Sequence, residues 1–411
     1  MVTINYPEGA KLGDSRGYLA AARSLTQDLS YDEPKWPPGY PLFIAIISGW
    51  TEPGFVLTVF AQLALTSITA LMLVPIGEQI ATRRSGLIAG WLYALSPNAS
   101  LWALTIMTET LYSTVLVATL WVWLRANEGQ GRTGFLAVGL LLGLGAMIRN
   151  IGLPIIPIWI FFSLIYFAHQ TNFLKGIQAA VWITLGALLL ILPWSIRNLV
   201  VNGNFALTVE TTRTFLAFNI ARVLAEVEGI SRTQAAGILS STENPIALTI
   251  RLFRDYPVVF IRVQLEGVLR STFGAGTGAW GRIFAYPLDL QGSLNLFGNI
   301  TTGQFNAFIA RLEELLSSKE SLILLCITTL GLAHILLSYL FGMGVFISRN
   351  SVRSISLLII LTTACLLIVP GAGGQARFRI PVEPYIAILA GVGLNDILVR
   401  RTATKARDEV D

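Results

Sequence analysis

Two carboxylates and four arginines in this chain stand at the ends of apolar runs, where charge is costly. Asp14 opens "GDSRGYLAAARSL", and Glu109 lies in "IMTETLYS", where an apolar run begins. Arg149 sits in "MIRNIGLP", Arg197 in "PWSIRN", and Arg377 and Arg379 in "GQARFRIPVEPY" at 374–385. A positioned carboxylate can take a proton from a hydroxyl. A guanidinium is a rigid fork of donors that suits phosphate or carboxylate oxygens. Arginines converging beside carboxylates would therefore support one type of reaction, in which they hold a leaving phosphate while a carboxylate activates an incoming hydroxyl.

Each residue also has a plainer reading. Asp14 would be a helix N-cap, and Glu109 a helix-dipole partner with Thr108 as cap. Arg149 or Arg197 alone would snorkel to lipid phosphates. Arg377 and Arg379 are alternate residues between a glycine-rich turn and a proline, so an extended backbone would point both side chains the same way. Glu383 would pair with one of them. Asp32 and Glu33 read as solvated loop charges, with Lys35 contacting phosphate.

The elements that must position these groups are membrane spans. The chain has 411 residues, 54% hydrophobic and 13% charged, with mean hydropathy +0.64. A soluble domain carries about 25% charged residues, so this is an all-α polytopic membrane protein. The net charge of +5 is then a matter of membrane topology, and no nucleic-acid partner is expected. Cys326 and Cys365 lie inside apolar runs and form no CxxC, and His169 and His334 are isolated. These exclude a disulfide framework and a His/Cys zinc site. A divalent cation would need carboxylate ligands, and the Asp14/Glu109 pair is where it would go. The polar start, "MVTINYPEGAKLGDSRGY", does not read as a signal peptide.

A span needs about 20 apolar residues. Nine candidates read near 55–80, 86–104, 109–124, 134–148, 151–168, 177–195, 321–347, 354–370 and 381–399. "PLFIAIISGW" at 41–50 is too short to cross and reads as an interfacial or re-entrant helix, with Trp50 at headgroup level. Arg83, Arg84, Arg125, Arg132, Lys175, Arg349, Arg353, Arg400, Arg401, Lys405 and Arg407 fall on one side if the chain alternates, which makes that side the cytoplasm. The organisation is then an exoplasmic loop with an interfacial helix at 1–54, about six spans over 55–195, an exoplasmic loop with amphipathic helices at 196–320, three spans over 321–399, and a cytoplasmic tail at 400–411. Nine spans with the C-terminus inside leave the N-terminus outside, which points to a missing or misassigned first span. "RLFRDYPVVFIRVQLEGVLRSTF" at 251–273 has the pattern of helices lying on a membrane surface. "GAGTGAWGR" at 274–282 reads as a loop, and "NAS" and "NITTG" match the glycosylation sequon. No internal repeat of fixed period is present.

In this order, "DSRGYLAAARSL", "WPPGYPLFIA", "SPNASLWALTIMTETLYS", "MIRNIGLPIIP", "PWSIRN" and "ARFRIPVEPYIAILAG" resemble the GT-C superfamily of polyprenyl-phosphate-dependent glycosyltransferases. The branch with protein O-mannosyltransferases and aminoarabinose transferases is the most similar. The resemblance spans residues 14 to about 395. It implies a GT-C-like transmembrane helix bundle with exoplasmic interfacial helices. The implied setting is a bacterial plasma membrane, with the site facing the periplasm. The donor would be a sugar on a polyprenyl phosphate, and the acceptor a hydroxyl of a lipid, glycan or protein, with membrane lipid all around. Asp14 matches the catalytic base. Glu109 matches the second acidic position, which orients the acceptor or binds a metal. Arg377 and Arg379 match the residues that hold the donor phosphate, with Arg149, Arg197 and Lys35 in support. Tyr18 and Tyr40 fall in the sugar or acceptor pocket. Asp14 is followed by Ser15, so there is no DxD or DE pair. The same arginines would also suit a lipid-phosphate transporter or flippase, a catalytically silent GT-C-like subunit, or a ligase using a lipid pyrophosphate.

Overall fold

The computed structural model describes residues 13–31, 35–49, 54–170, 172–208, 215–283, 319–348 and 350–408. The expectations for Asp32, Glu33, Trp50, Arg349 and "NITTG" lie outside these. Among the described residues the regular structure is helical. Two short helices, α1 (Ser15–Gln27) and α2 (Gly39–Ile47), come first. They are followed by α3 (Phe55–Ile80), α4 (Arg83–Ala94), α5 (Pro97–Ala103), α6 (Glu109–Arg125), α7 (Gly131–Ile148), α8 (Ile155–His169) and α9 (Phe173–Asn202).

A second, smaller group comprises α10 (Ala221–Glu228), α11 (Arg232–Ser241), α12 (Pro245–Asp255), α13 (Pro257–Phe273) and α14 (Thr277–Ile283). The C-terminal part returns to long helices with α15 (Lys319–Gly342), α16 (Asn350–Ile368) and α17 (Glu383–Asp408).

Among the described residues six segments are long and apolar enough to cross a membrane: Phe55–Ile80, Gly131–Ile148, Asn150–His169, Phe173–Asn202, Leu322–Phe346 and Ala376–Arg400. Leucines, isoleucines and valines on their outer faces stay exposed, as a lipid-facing surface requires. The chain is an integral membrane protein. The expected span at 86–104 is in fact two helices. Pro97 cannot continue α4, and the Ser96 hydroxyl accepts from Ala99 N at 3.2 Å to start α5 afresh. The span expected at 109–124 is α6, a 17-residue helix. α9 runs 30 residues, about 45 Å, so its end with Arg197 projects past a hydrocarbon core of about 30 Å.

Close approach of backbones builds the bundle. A Cβ on Gly139 of α7 would stand 2.1 Å from Ile183 O, and one on Gly186 of α9 would stand 2.3 Å from Leu136 O. Such small-residue contacts let helices pack where lipid gives no hydrophobic drive. α17 lies at the centre, with Tyr385, Ala390 and Val392 fully buried. The amphipathic stretch at 251–273 is split between α12 and α13 at Tyr256–Pro257 and leaves Phe253, Val258, Ile261 and Leu265 exposed. The loop expected over 274–282 ends at Gly276, and α14 takes over from Thr277. The "NAS" asparagine, Asn98, is only 1% exposed, so burial removes it as a glycan acceptor.

Candidate active site

Asp14 occupies the N-cap position of α1 but does not cap it. Its Oδ2 instead accepts from Arg377 Nη1 at 3.0 Å, across 363 residues of sequence. The next residue fixes the start of the helix: Ser15 Oγ donates to Ile106 O at 2.8 Å. That bond pins α1 to the turn before α6, where Glu109 begins. Thr108 does not cap α6 either. Arg149 Nη1 lies 2.5 Å from Glu109 Oε1 and donates to Thr108 Oγ1 at 3.0 Å. The capping readings of Asp14 and Thr108 thus give way to two long-range ion pairs, while Glu109 keeps its expected place in the first turn of α6.

An aromatic residue stands between the pairs. The Phe378 ring lies 5.4 Å from the Arg149 guanidinium and 5.3 Å from that of Arg377, within cation–π reach of both. Tyr18 sits among Asp14, Glu109, Arg149 and Arg377. Burial, and then the two carboxylates, push its hydroxyl up from the usual phenol range, so it remains a neutral donor at physiological pH. Its ring packs on Trp36 and Tyr40, with centroids 4.9 and 5.0 Å away. Gly17 makes room for Trp36, because a Cβ there would be 2.7 Å from Trp36 Nε1.

The floor of the site is a chain of hydrogen bonds. Tyr40 donates to Gln62 Oε1 at 2.6 Å, and Gln62 Nε2 donates to Thr105 O at 2.6 Å and Ala103 O at 3.1 Å. These bonds hold the turn that delivers Glu109. α2 backs onto the strand-like residue Arg149, and a Cβ on Gly39 would meet Met147 O at 2.6 Å. The chemical opportunity lies in what is left over. Among the described residues Arg377 Nε is buried with no hydrogen-bond partner, whereas Glu109 Oε1 is held in its ion pair. A donor of Arg377 therefore remains for a bound molecule.

Several expected site residues are committed elsewhere. Arg377 and Arg379 do not point the same way, because 3₁₀ turns at Ala376–Phe378 and Ile380–Val382 replace the extended backbone. Arg379 is 1% exposed; its Nε donates to Glu383 Oε1 at 3.1 Å, and its Nη1 donates to Ser271 O and Thr272 O. Its Nη2 donates to the Asn98 side-chain oxygen at 3.1 Å. Four of the five Arg379 donors are thus used inside the bundle, and its burial keeps it away from a phosphate. Arg197 donates to Tyr31 O and Asn198 Oδ1 and stacks on Trp194. Lys35 lies over the Trp36 ring at 4.3 Å. Tyr40 is fully buried with its hydroxyl on Gln62, so it supports Tyr18 and does not line an open pocket.

A divalent cation fits poorly at Asp14 and Glu109, since each carboxylate already faces a guanidinium. Among the described residues no third His, Cys, Asp or Glu joins them. Sequence reasoning missed Ser15, Gln62 and Phe378. Gln62 carried a readable signal as a lone amide inside an apolar run.

The sequence matches the family described as dolichyl-phosphate-mannose-protein mannosyltransferase over residues 35–196. No curated protein matches it. An Archaeoglobus fulgidus oligosaccharyltransferase, solved tethered to an acceptor peptide containing the NVT sequon, shares its fold with a TM-score of 0.51 and 13% identity. That likeness covers 93% of this chain and 45% of the oligosaccharyltransferase, so this chain spans under half of that protein's length. The oligosaccharyltransferase AglB of the same organism, in complex with an inhibitory peptide and a dolichol-phosphate, aligns with a TM-score of 0.49 and 14% identity, over 98% of this chain and 48% of that one. The family match lies in the N-terminal half of the chain, and the fold that the chain shares with the oligosaccharyltransferase runs along nearly its whole length.

Proposed function

We propose that this protein is a glycosyltransferase that moves a sugar from a polyprenyl-phosphate donor to an acceptor hydroxyl on the exoplasmic face, with inversion at the anomeric carbon. The observation that carries this reading is the Asp14–Arg377 pair, a largely buried carboxylate and guanidinium brought together from opposite ends of the chain. The matched family's description names a lipid-monophosphate sugar donor, which fits a site with arginine donors. The sidedness rests on the basic loops, which fall on the side away from Asp14 if the spans alternate.

In the resting site Asp14 and Arg377 neutralise each other. A donor phosphate engages Arg377, including its unpartnered Nε, and so releases Asp14. The Asp14 carboxylate then takes the proton of the acceptor hydroxyl. The acceptor oxygen bonds to the anomeric carbon from the face opposite the phosphate. The carbon–oxygen bond to the phosphate breaks, and its electron pair stays on the phosphate oxygen beside Arg377. Glu109 holds Arg149 and, with the Tyr18 hydroxyl, orients the acceptor.

The test is to incubate the purified protein with labelled polyprenyl-phosphate sugars and a membrane extract, followed by mass analysis of the labelled product. Transfer of one hexose-type unit to a lipid, glycan or protein hydroxyl is expected. Absence of transfer from every polyprenyl-phosphate sugar, with transfer from a lipid-pyrophosphate sugar, would replace the donor in this reading.

A further inference from the structure

The four arginines singled out by sequence are all engaged, yet a second group of three is not balanced. Arg222 lies on α10, Arg232 opens α11, and Arg270 is in the last turn of α13. These helices pack on a core of their own, with Ile220, Val223, Leu224, Ala235, Val263 and Ala372. Ala372 belongs to the turn that leads into Arg377. Arg270 grips that turn: its Nη2 donates to Ala372 O at 2.9 Å and its Nε to Gly374 O at 3.3 Å. Arg232 donates to Ala217 O and lies over the Phe218 ring at 4.7 Å. Phe218 in turn abuts Gly373, and the neighbouring Asn219 accepts from Gly373 N at 3.3 Å. Two guanidiniums are thus anchored by carbonyls, which orient them without cancelling their charge.

Arg222 has no anchor: it makes no hydrogen bond or ion pair among the described residues. Its electrostatic neighbours are Arg270, Arg232 and the single carboxylate Glu266, which lies 3.8 Å from Arg270 Nη1. Glu226, on the same helix as Arg222, is taken by Arg262. Burial, and then the two neighbouring arginines, push the Arg222 guanidinium down to about 10. Three guanidiniums facing one carboxylate, partly out of water, repel one another unless an anion joins them.

We propose that Arg222, Arg232 and Arg270 form a binding site for a phosphate-class oxyanion, separate from the Asp14–Arg377 cluster. Forked donors on two anchored arginines and one free arginine suit the several oxygens of a phosphate. The ligand is a phosphate group, carried by a lipid headgroup or free in solution. Because Arg270 holds the carbonyls of Ala372 and Gly374, an occupied site steadies the turn that carries Arg377. The proposal is independent of which sugar or acceptor the enzyme uses.

The test measures thermal protection of the purified full chain in two arms. One arm titrates inorganic phosphate in detergent, against chloride at equal ionic strength. The other compares phosphatidylcholine nanodiscs with and without phosphatidic acid. Wild type is expected to be protected saturably in at least one arm. Protection in both means that the phosphate alone suffices, and protection only by phosphatidic acid assigns the site to a lipid headgroup. Arg222→Gln is expected to melt no lower than wild type without phosphate and to need about tenfold more phosphate for half-protection. If Arg222→Gln does not fold, Arg222→Lys keeps the charge without the fork and is expected to show the same weakening. No protection of wild type in either arm, or equal protection of the folded variant, would overturn the proposal.

Discussion

Arg377 and Arg379 stand two residues apart and have opposite roles. Arg379 is sunk in the bundle, paired with Glu383, bonded to the end of α13 and only 1% exposed. The other oxygen of Glu383 accepts from Ser96 Oγ at 2.6 Å, which ties the break between α4 and α5 into the same network. Arg377 meets Asp14 at the edge of the bundle, where both side chains keep about a fifth of their surface, at 21% and 23% exposure. One pair is fully satisfied and dry. The other is partly wetted, with a guanidinium nitrogen still unpartnered. Local sequence, "ARFR", treats the two alike. What separates them is the 3₁₀ winding of residues 376–382, which turns one arginine inward and the other toward α1.

The difference can be broken at either end. Arg379→Ala leaves Glu383 buried without its partner, and losing one half of a buried pair costs about 3–5 kcal/mol. A large fall in melting temperature or in folded yield is expected, read by thermal denaturation in detergent. Arg377→Ala should cost less stability than Arg379→Ala, because Asp14 keeps some contact with water where Glu383 does not. It should weaken apparent donor affinity by about 10–100-fold, the worth of a charge-assisted hydrogen bond of about 1.5–3 kcal/mol. Donor titration of transfer checks this, and unchanged affinity would return Arg377 to a lipid-snorkelling role. Tyr40→Phe is the mildest change. It removes the bond to Gln62 and should cost about 1–3 kcal/mol of stability, with a smaller loss of transfer, because Tyr40 acts only through Tyr18 and the turn before Glu109.

Much of this arrangement was legible in the chain. Long apolar runs give the spans, and the sidedness of arginines gives the end of the bundle where Asp14, Glu109, Arg149 and Arg377 meet. The short run at 41–50 reads as too brief to cross, and α2 is a nine-residue helix. Other parts were hidden for identifiable reasons. Glycines and a proline around 371–381 are as compatible with extended chain as with successive 3₁₀ turns, so the divergence of Arg377 and Arg379 has no local signal. The serine before Pro97 could have marked the break in the expected span at 86–104, but apolar content dominates such a reading. The commitments of Arg379 to residues 271 and 272, and the meeting of Arg222, Arg232 and Arg270, depend on contacts between distant segments. No spacing rule encodes them.

The most direct measurement of the central claim is made on Asp14→Asn, which keeps the shape of the side chain and removes its basicity. Donor binding and sugar transfer are measured on the same preparation, beside wild type, with a polyprenyl-phosphate sugar. The account predicts a folded protein that binds the donor at least as tightly as wild type, since Arg377 no longer has a charged partner, and transfers sugar about 10²–10⁴-fold more slowly. Wild-type transfer by Asp14→Asn would contradict it.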